Sequence, residues 1–138
     1  MPKRRVDLHA MLDDLCERHL GRTLDDVDIE WGVPSDYVAN ALACIGLDED
    51  DELVITIDHA LALPWVPCYF LRDVVWHEAC HAVLYERTGE PFGDMDHGPT
   101  FRVLESLHRD RLRAAAWERR HGERLSSSIH RRLSARRG

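Results

Sequence analysis

Apolar residues recur at helical spacing at the start of the chain, over residues 6–20, and Gly21 follows as a stop signal. Apolar and acidic residues then alternate over residues 27–31, as in a half-buried strand. Residues 41–47 and 53–57 flank a run of acidic residues, which indicates two strands joined by a solvated hairpin turn. The first part of the chain is therefore predicted to be one helix followed by a small sheet.

Two longer helices are predicted in the second half of the chain. The first should run over residues 69–88 and end at Gly89. The second should begin at Pro99, because proline suits the first turn of a helix, and it should end near Gly122. Residues 123–138 are rich in arginine and serine, and they are predicted to form either a short helix or a largely unstructured tail.

The length and the charge distribution of the chain indicate one domain with a basic end. A chain of 138 residues fits a single compact α+β domain, which we predict to span residues 1–122. Residues 109–138 hold ten arginines and three acidic residues, so this segment carries +7 within a total net charge of −7. Such an end could neutralise nucleic-acid phosphates, which predicts DNA as a partner. The alternative is a solvated helix face and a charged tail over residues 123–138.

Neither the cysteines nor the apolar runs predict export or a membrane span. The four cysteines form no C-x-x-C pair, so we expect small buried side chains in a reducing compartment rather than a zinc ribbon. The longest uncharged run, residues 60–71, is well below the ~20 residues of a membrane span. Acidic residues also interrupt the start of the chain before an apolar leader could form. We therefore predict a cytoplasmic protein with no membrane partner.

The predicted chemistry centres on His77, Glu78 and His81, which form an H-E-x-x-H motif inside the predicted helix over residues 69–88. Histidines four positions apart lie on nearly the same face of a helix, so both imidazoles can reach one metal ion. Glu78 is displaced around the helix by one position, and it can act as a general base toward water without being a ligand. The motif predicts a Zn²⁺ site with Glu78 as the catalytic residue.

A catalytic zinc ion needs a third protein ligand besides His77 and His81, and His97 is the best candidate for it. Gly98 permits a close approach of the backbone, and Pro99 begins the next predicted helix. The chain could therefore hold His97 at a fixed point near the active helix.

Other ligand patterns fit less well. The metzincin spacing is excluded, because Leu84 and Arg87 stand where that pattern requires Gly and His. A downstream glutamate, Glu105, is the alternative third ligand. A side-chain donor for the developing oxyanion is also expected, and the sequence leaves three candidates open: Tyr69, Tyr85 and His108.

The segment VVWHEACHAVL, residues 74–84, together with HGPTF, residues 97–101, resembles the SprT-like zinc metalloprotease family. Many zinc peptidases share H-E-x-x-H, and the HGPTF segment narrows the resemblance to this family. The likeness reaches from the first helix to about Leu107. It implies a zincin-like fold, with a small sheet packed on the active-site helix and with N- and C-terminal helices. Carried over by position, the family's three zinc ligands and its catalytic glutamate are His77, His81, His97 and Glu78.

The sequence thus predicts a zinc-dependent metalloprotease that hydrolyses peptide bonds in a protein or peptide substrate. The resemblance and the basic end together suggest DNA-associated proteins as a substrate class. Two alternatives stay open. One is a repressor-cleaving zinc peptidase of the ImmA type, which shares H-E-x-x-H without an obvious HGPTF segment. The other is a nucleic-acid-associated zinc protein without proteolysis.

Overall fold

The predicted helical and alternating segments form an α+β structure. The computed structural model describes residues 6–38, 41–89 and 97–137, with the side chains of the last helix described as far as Ile129. This part of the chain contains four α-helices and one three-stranded mixed sheet. Within it, no helix combines the length and the apolar surface that a bilayer span requires. In chain order the elements are α1 (Leu8–Leu20), β1 (Val27–Gly32), β2 (Ala43–Leu47), β3 (Leu53–Asp58), α2 (Cys68–Thr88), α3 (Pro99–Glu105) and α4 (Arg111–Arg137).

The sheet has β3 at its centre, with β1 parallel to it on one side and β2 antiparallel to it on the other. Leu53, Ile55 and Ile57 alternate along β3, and their side chains are buried in the core. In the turn between β2 and β3, the Asp48 carboxylate accepts hydrogen bonds from two backbone amides of the acidic run, at 2.8 and 3.0 Å. The predicted hairpin is therefore confirmed, and β2 forms an edge of the described sheet.

Helix α2 is the centre of the structure, because it packs against α1, α3, α4 and the sheet. Its buried residues occupy most of its circumference rather than one stripe, as expected for a helix surrounded by other elements. Gly89 ends it in a left-handed conformation (φ 67°) and donates its N–H to the Tyr85 carbonyl at 2.7 Å. The predicted helix over residues 69–88 is confirmed to within one residue, so the H-E-x-x-H motif lies in the middle of an anchored helix.

Two side chains beside the motif histidines pack in the core. Trp76 is fully buried, and its Nε1 donates a hydrogen bond to the Leu104 carbonyl at 2.9 Å, which ties α2 to α3. Cys80 is fully buried as well, as is Cys16 in α1, so the expected packing role is confirmed for both. Cys68 differs from that expectation: it is exposed, because it occupies the first residue of α2 at the surface.

The prediction of one helix from Pro99 to Gly122 is wrong, since the chain forms two helices separated by residues 106–110. The Leu104 carbonyl accepts the indole hydrogen bond from α2 and also a hydrogen bond from the Leu107 amide at 3.1 Å. This i to i+3 contact tightens the chain into a turn and ends α3. A tertiary contact therefore overrides a helical pattern that looks continuous in the sequence.

Helix α4 passes through Gly122 and continues to Arg137. A glycine inside a helix costs about 1 kcal/mol relative to alanine, but buried residues on both sides of Gly122 keep one face of α4 on the core. The basic segment is therefore helical in the structure. The buried residues are Ala114, Trp117, Leu125 and Ile129.

Candidate metal centre

Three histidines from two parts of the chain meet beside α2. His77 and His81 project from successive turns of that helix, and His97 lies just before α3. One ring nitrogen of each lies within 4.8 Å of the other two, and the Nε2 atoms of His81 and His97 are 3.1 Å apart. Nitrogen atoms this close together can share one metal ion, so this group could hold one. The structure thus brings together all three histidines that the sequence singled out.

The ring of Phe101 packs against all three imidazoles. Its centroid lies 5.0 Å from that of His77, 4.6 Å from that of His81 and 4.8 Å from that of His97. Phe101 itself is buried in the core from the first turn of α3. Because this aromatic surface is fixed, it restricts the rotation of the three rings and holds their nitrogens near one point.

Glu105 orients His77 from the side. Its Oε2 lies 2.6 Å from His77 Nδ1, and its Oε1 lies 3.4 Å from the Nε of Arg111. Arg111 in turn donates from Nη1 to Asp73 Oδ2 at 2.9 Å. A carboxylate on one ring nitrogen of a histidine leaves the other nitrogen for a metal. Glu105 therefore lies behind His77, outside the group of converging nitrogens, and the alternative that made it the third ligand is not favoured by this geometry.

The contact between His77 and Glu105 shifts the pKa values of both side chains. Burial disfavours a charged imidazole, but the hydrogen bond with Glu105 and the nearby carboxylates of Glu78 and Asp73 together raise the pKa of His77 above its ordinary value. The same hydrogen bond lowers the pKa of Glu105 despite its partial burial. Glu105 is thus held as a carboxylate, which favours a proton on the Nδ1 of His77 and leaves Nε2 as the ligand atom.

Glu78 is a buried carboxyl group at the edge of the histidine cluster. Its side chain is almost fully enclosed, with the residue 7% exposed, and it lines a cleft together with His77. Burial raises the pKa of Glu78 to about 7, although the neighbouring His77 opposes this shift. A carboxyl group whose pKa lies near neutrality can both accept and return a proton at physiological pH.

The cleft beside the cluster has a volume of about 270 Å³. One wall is formed by Leu42 and Ala43, at the start of the edge strand β2. The α2 wall includes Asp73, whose pKa burial raises to about 6, with Arg111 opposing the shift. The cleft therefore combines an apolar strand wall with a charged helical wall, and Glu78 belongs to the helical wall.

Two of the three candidate oxyanion donors lie elsewhere. Tyr69 and His108 line a separate pocket, and the guanidinium of Arg113 stacks over the Tyr69 ring at 3.8 Å. The geometry does not favour these two candidates, because Tyr69, at the start of α2, and His108, in the turn before α4, line that pocket and not the cleft of Glu78. Tyr85 lies one helical turn beyond His81 on α2, so its role as a donor stays a prediction.

The network behind His77 was missed by the sequence analysis. Asp73 precedes His77 by four positions, so helical spacing alone places the Asp73 carboxyl group and the His77 imidazole on one face of α2. Glu105 and Arg111 come from elements 28 or more positions away, and nothing local in the sequence indicates that they meet there.

Glu105→Gln is expected to weaken zinc binding by about 10- to 100-fold, the range typical for the loss of a carboxylate that orients a histidine ligand. The amide can still reach His77, but it no longer stabilises the Nδ1–H as a carboxylate does. Zinc affinity should be measured by competition with a chromogenic chelator. Glu118→Gln is the matched control, because Glu118 lines the same cleft and is exposed. Equal zinc affinity in wild type and Glu105→Gln would contradict the orienting role.

No protein-family model matches the chain, and no curated protein matches it either. The chemistry of this centre therefore has to be inferred from its residue types and its geometry. What the structure shows is a histidine triad that could hold a metal ion, with a buried glutamate beside it.

Proposed function

We propose that the protein is a zinc-dependent metallopeptidase with a zincin-like arrangement, and that it hydrolyses peptide bonds. One observation carries this proposal: His77, His81 and His97 converge, and buried Glu78 lines the cleft next to them. Three protein ligands and one open position are the arrangement of a catalytic rather than a structural zinc site. The resemblance of residues 74–84 and 97–101 to SprT-like proteases points the same way.

The donor set suits zinc. Zn²⁺ binds neutral imidazole nitrogens readily, and sites with three histidines are among its catalytic forms. When bound, zinc supplies a Lewis acid that polarises a carbonyl group and makes water more acidic at neutral pH. His77, His81 and His97 would hold the ion, and Glu105 would orient the first of them.

Glu78 acts as the general base and then as the general acid. It lies on α2 next to His77 but is displaced around the helix, so it faces the cleft without joining the three nitrogens. Its carboxylate accepts a proton from the attacking water and delivers that proton to the leaving amine of the peptide. Enclosure of the carboxyl keeps its proton affinity high enough for the second transfer, since burial raises the pKa of Glu78.

The substrate would bind as an extended peptide beside β2. This strand pairs with β3 on one side only within the described sheet, so its outer backbone groups are available for pairing. Ala43 of β2 also lines the cleft that contains Glu78. A peptide aligned on this edge would carry its scissile bond past the histidines. The cleft volume of about 270 Å³ accommodates a short peptide segment rather than a folded domain.

Metal analysis and a cleavage assay on the purified protein test the proposal together. We expect one zinc ion per chain, cleavage of casein or of a quenched fluorescent peptide library, and loss of cleavage on chelation with recovery on adding zinc. Stoichiometric zinc without any cleavage would favour the nucleic-acid-associated zinc protein without proteolysis. Cleavage that persists in the chelated protein would exclude the metal mechanism.

A further inference from the structure

A second pocket, on a different face of α2 from His77, contains mainly cationic and imidazole groups. It lies where α1, α2 and the turn before α4 meet, and its volume is about 280 Å³. This volume is slightly below the range of about 300–1,000 Å³ for pockets that bind drug-sized ligands, so it suits a small ligand. The charged or titratable residues that line it are Arg18, His19, Arg72, His108, Arg109 and Asp110.

The carboxylates of Asp14 and Asp110 compensate the positive charge of this pocket only in part, because three arginines line it. Asp14 accepts hydrogen bonds from Arg18 at 3.0 Å and from Arg72 at 2.7 Å, but its carboxylate is well exposed to solvent. Burial, and after it the guanidinium of Arg72, lowers the pKa of His19. Burial lowers the pKa of His108 as well, with Arg72 and His19 adding to the effect and Asp110 opposing it. Both imidazoles thus lie in a region where further positive charge is disfavoured.

His108 supplies a second, independent observation. The residue is only 4% exposed, and its Nε2 is buried without a hydrogen-bond partner among the described residues. A buried polar atom without a partner destabilises the folded state, so such atoms usually have an ordered water or a ligand nearby. The ring lies edge-on to His19, at 5.9 Å between centroids, and His19 packs on Trp76 at 4.7 Å. His108 is therefore held in place rather than free to turn toward solvent.

The N-terminus of α4 adds to the positive electrostatic potential of this pocket. This helix begins at Arg111, directly after the two pocket residues Arg109 and Asp110. The first turn of a long helix carries a positive partial charge from its free backbone N–H groups. Guanidinium groups and helix N-termini are groups that proteins use to bind phosphate-type oxyanions.

We infer that this pocket binds a phosphate group, with Arg72 and Arg109 as its principal donors and His108 in its lining. Arg18 lies at the rim and shares its charge with Asp14. The ligand is either a free phosphate or small phosphate ester, or the backbone phosphate of a nucleic acid. The site is independent of the histidine triad and of peptide hydrolysis, since none of its residues contributes to the candidate metal centre.

Calorimetric titration with inorganic phosphate, at an ionic strength held constant with sodium chloride, tests the inference. Arg72→Gln should weaken phosphate binding by about 10-fold or more, as expected for the loss of one charge-assisted hydrogen bond. Asp14→Asn should strengthen binding several-fold, because it removes the carboxylate that competes for Arg18 and Arg72. A gain of affinity cannot arise from misfolding. Arg120→Gln is the control, since Arg120 is exposed on α4 and should bind phosphate as wild type does.

Histidine-selective ¹⁵N NMR gives the location, with the His108 signal assigned by His108→Gln. Phosphate should shift the ring signal of His108 and leave that of His9, in α1, unchanged. A short oligonucleotide without terminal phosphates distinguishes the two sources. If it shifts the same signal, the bound phosphate belongs to a nucleic acid; if only inorganic phosphate does, the ligand is small. Equal phosphate affinity in wild type and Arg72→Gln, or an unmoved His108 signal at saturation, would overturn the inference.

Discussion

Glu78→Gln is expected to lower the rate of peptide hydrolysis by about 10²- to 10⁴-fold while zinc remains bound, the range typical for the loss of a general acid–base group. The substitution keeps the size of the side chain and removes its ability to take up a proton. Because Glu78 lies outside the three converging nitrogens, the amide should leave the metal site intact. The measurement is initial rate per bound zinc ion, with zinc quantified in the same sample.

The matched control for this experiment is Glu86→Gln. Glu86 lies on the same helix, but it is exposed and pairs with Arg22 at 2.6 Å. It is not among the residues that line the cleft. It should retain the wild-type rate. If Glu78→Gln hydrolyses peptide as fast as this control does, Glu78 is not the base and the proposed mechanism fails, whatever the metal content.

His81→Ala is expected to abolish most of the stabilisation that zinc gives to the folded protein. A ligand present at 100 times its dissociation constant stabilises the native state by about 2.7 kcal/mol. Loss of a direct ligand should weaken binding by more than the roughly 100-fold upper range seen for orienting residues. At the same zinc concentration, the gain in unfolding free energy should therefore fall to about 0.4 kcal/mol or less. Chemical denaturation with and without zinc measures both values.

Two further variants make this result specific. His9→Gln is the control, because His9 is exposed on α1 and pairs with Asp28; zinc should stabilise it as it does wild type. His97→Ala should behave like His81→Ala, since His97 would supply the third nitrogen. Wild-type zinc affinity in His97→Ala would remove the third ligand and would favour an ImmA-type arrangement over a SprT-like one.

Much of the fold around the site follows from local pattern. The long apolar helix over residues 69–88 and its glycine stop are visible in the sequence because the helical period and the C-terminal signal agree. The H-E-x-x-H spacing fixes the relation of His77 and His81 by helix geometry alone. The strands flanking the acidic turn follow in the same way, since β-branched apolar residues alternate or cluster next to a turn-forming run.

Contacts between distant segments could not be foreseen. The break between α3 and α4 depends on the Trp76 indole reaching the Leu104 carbonyl, and the orientation of His77 depends on Glu105. Both are tertiary contacts without a local signal. The expected zincin-like fold, the cytoplasmic location and the metal identity stay predictions.

The arginines of the basic end illustrate the same limit. Three of their guanidinium groups are engaged within the chain: Arg111 pairs with Asp73, Arg113 covers Tyr69, and Arg124 lies over the Trp65 ring at 4.0 Å. Such contacts serve packing as well as charge. A count of arginines in the sequence therefore overstates the charge that this end could offer to DNA, and DNA as a partner stays a prediction.

Helix α3 has only seven residues, too few to be stable by itself. Its order derives from what holds it to α2: the Phe101 ring, the Trp76 indole and, by our proposal, an ion shared between His97 and the two motif histidines. Such an ion would cross-link the short α3 segment, through His97, to the long helix α2. Local opening of α3 and release of the metal would then be one equilibrium. The zinc concentration would then set the fraction of molecules in which α3 is packed on α2, as well as the fraction in which the centre is active.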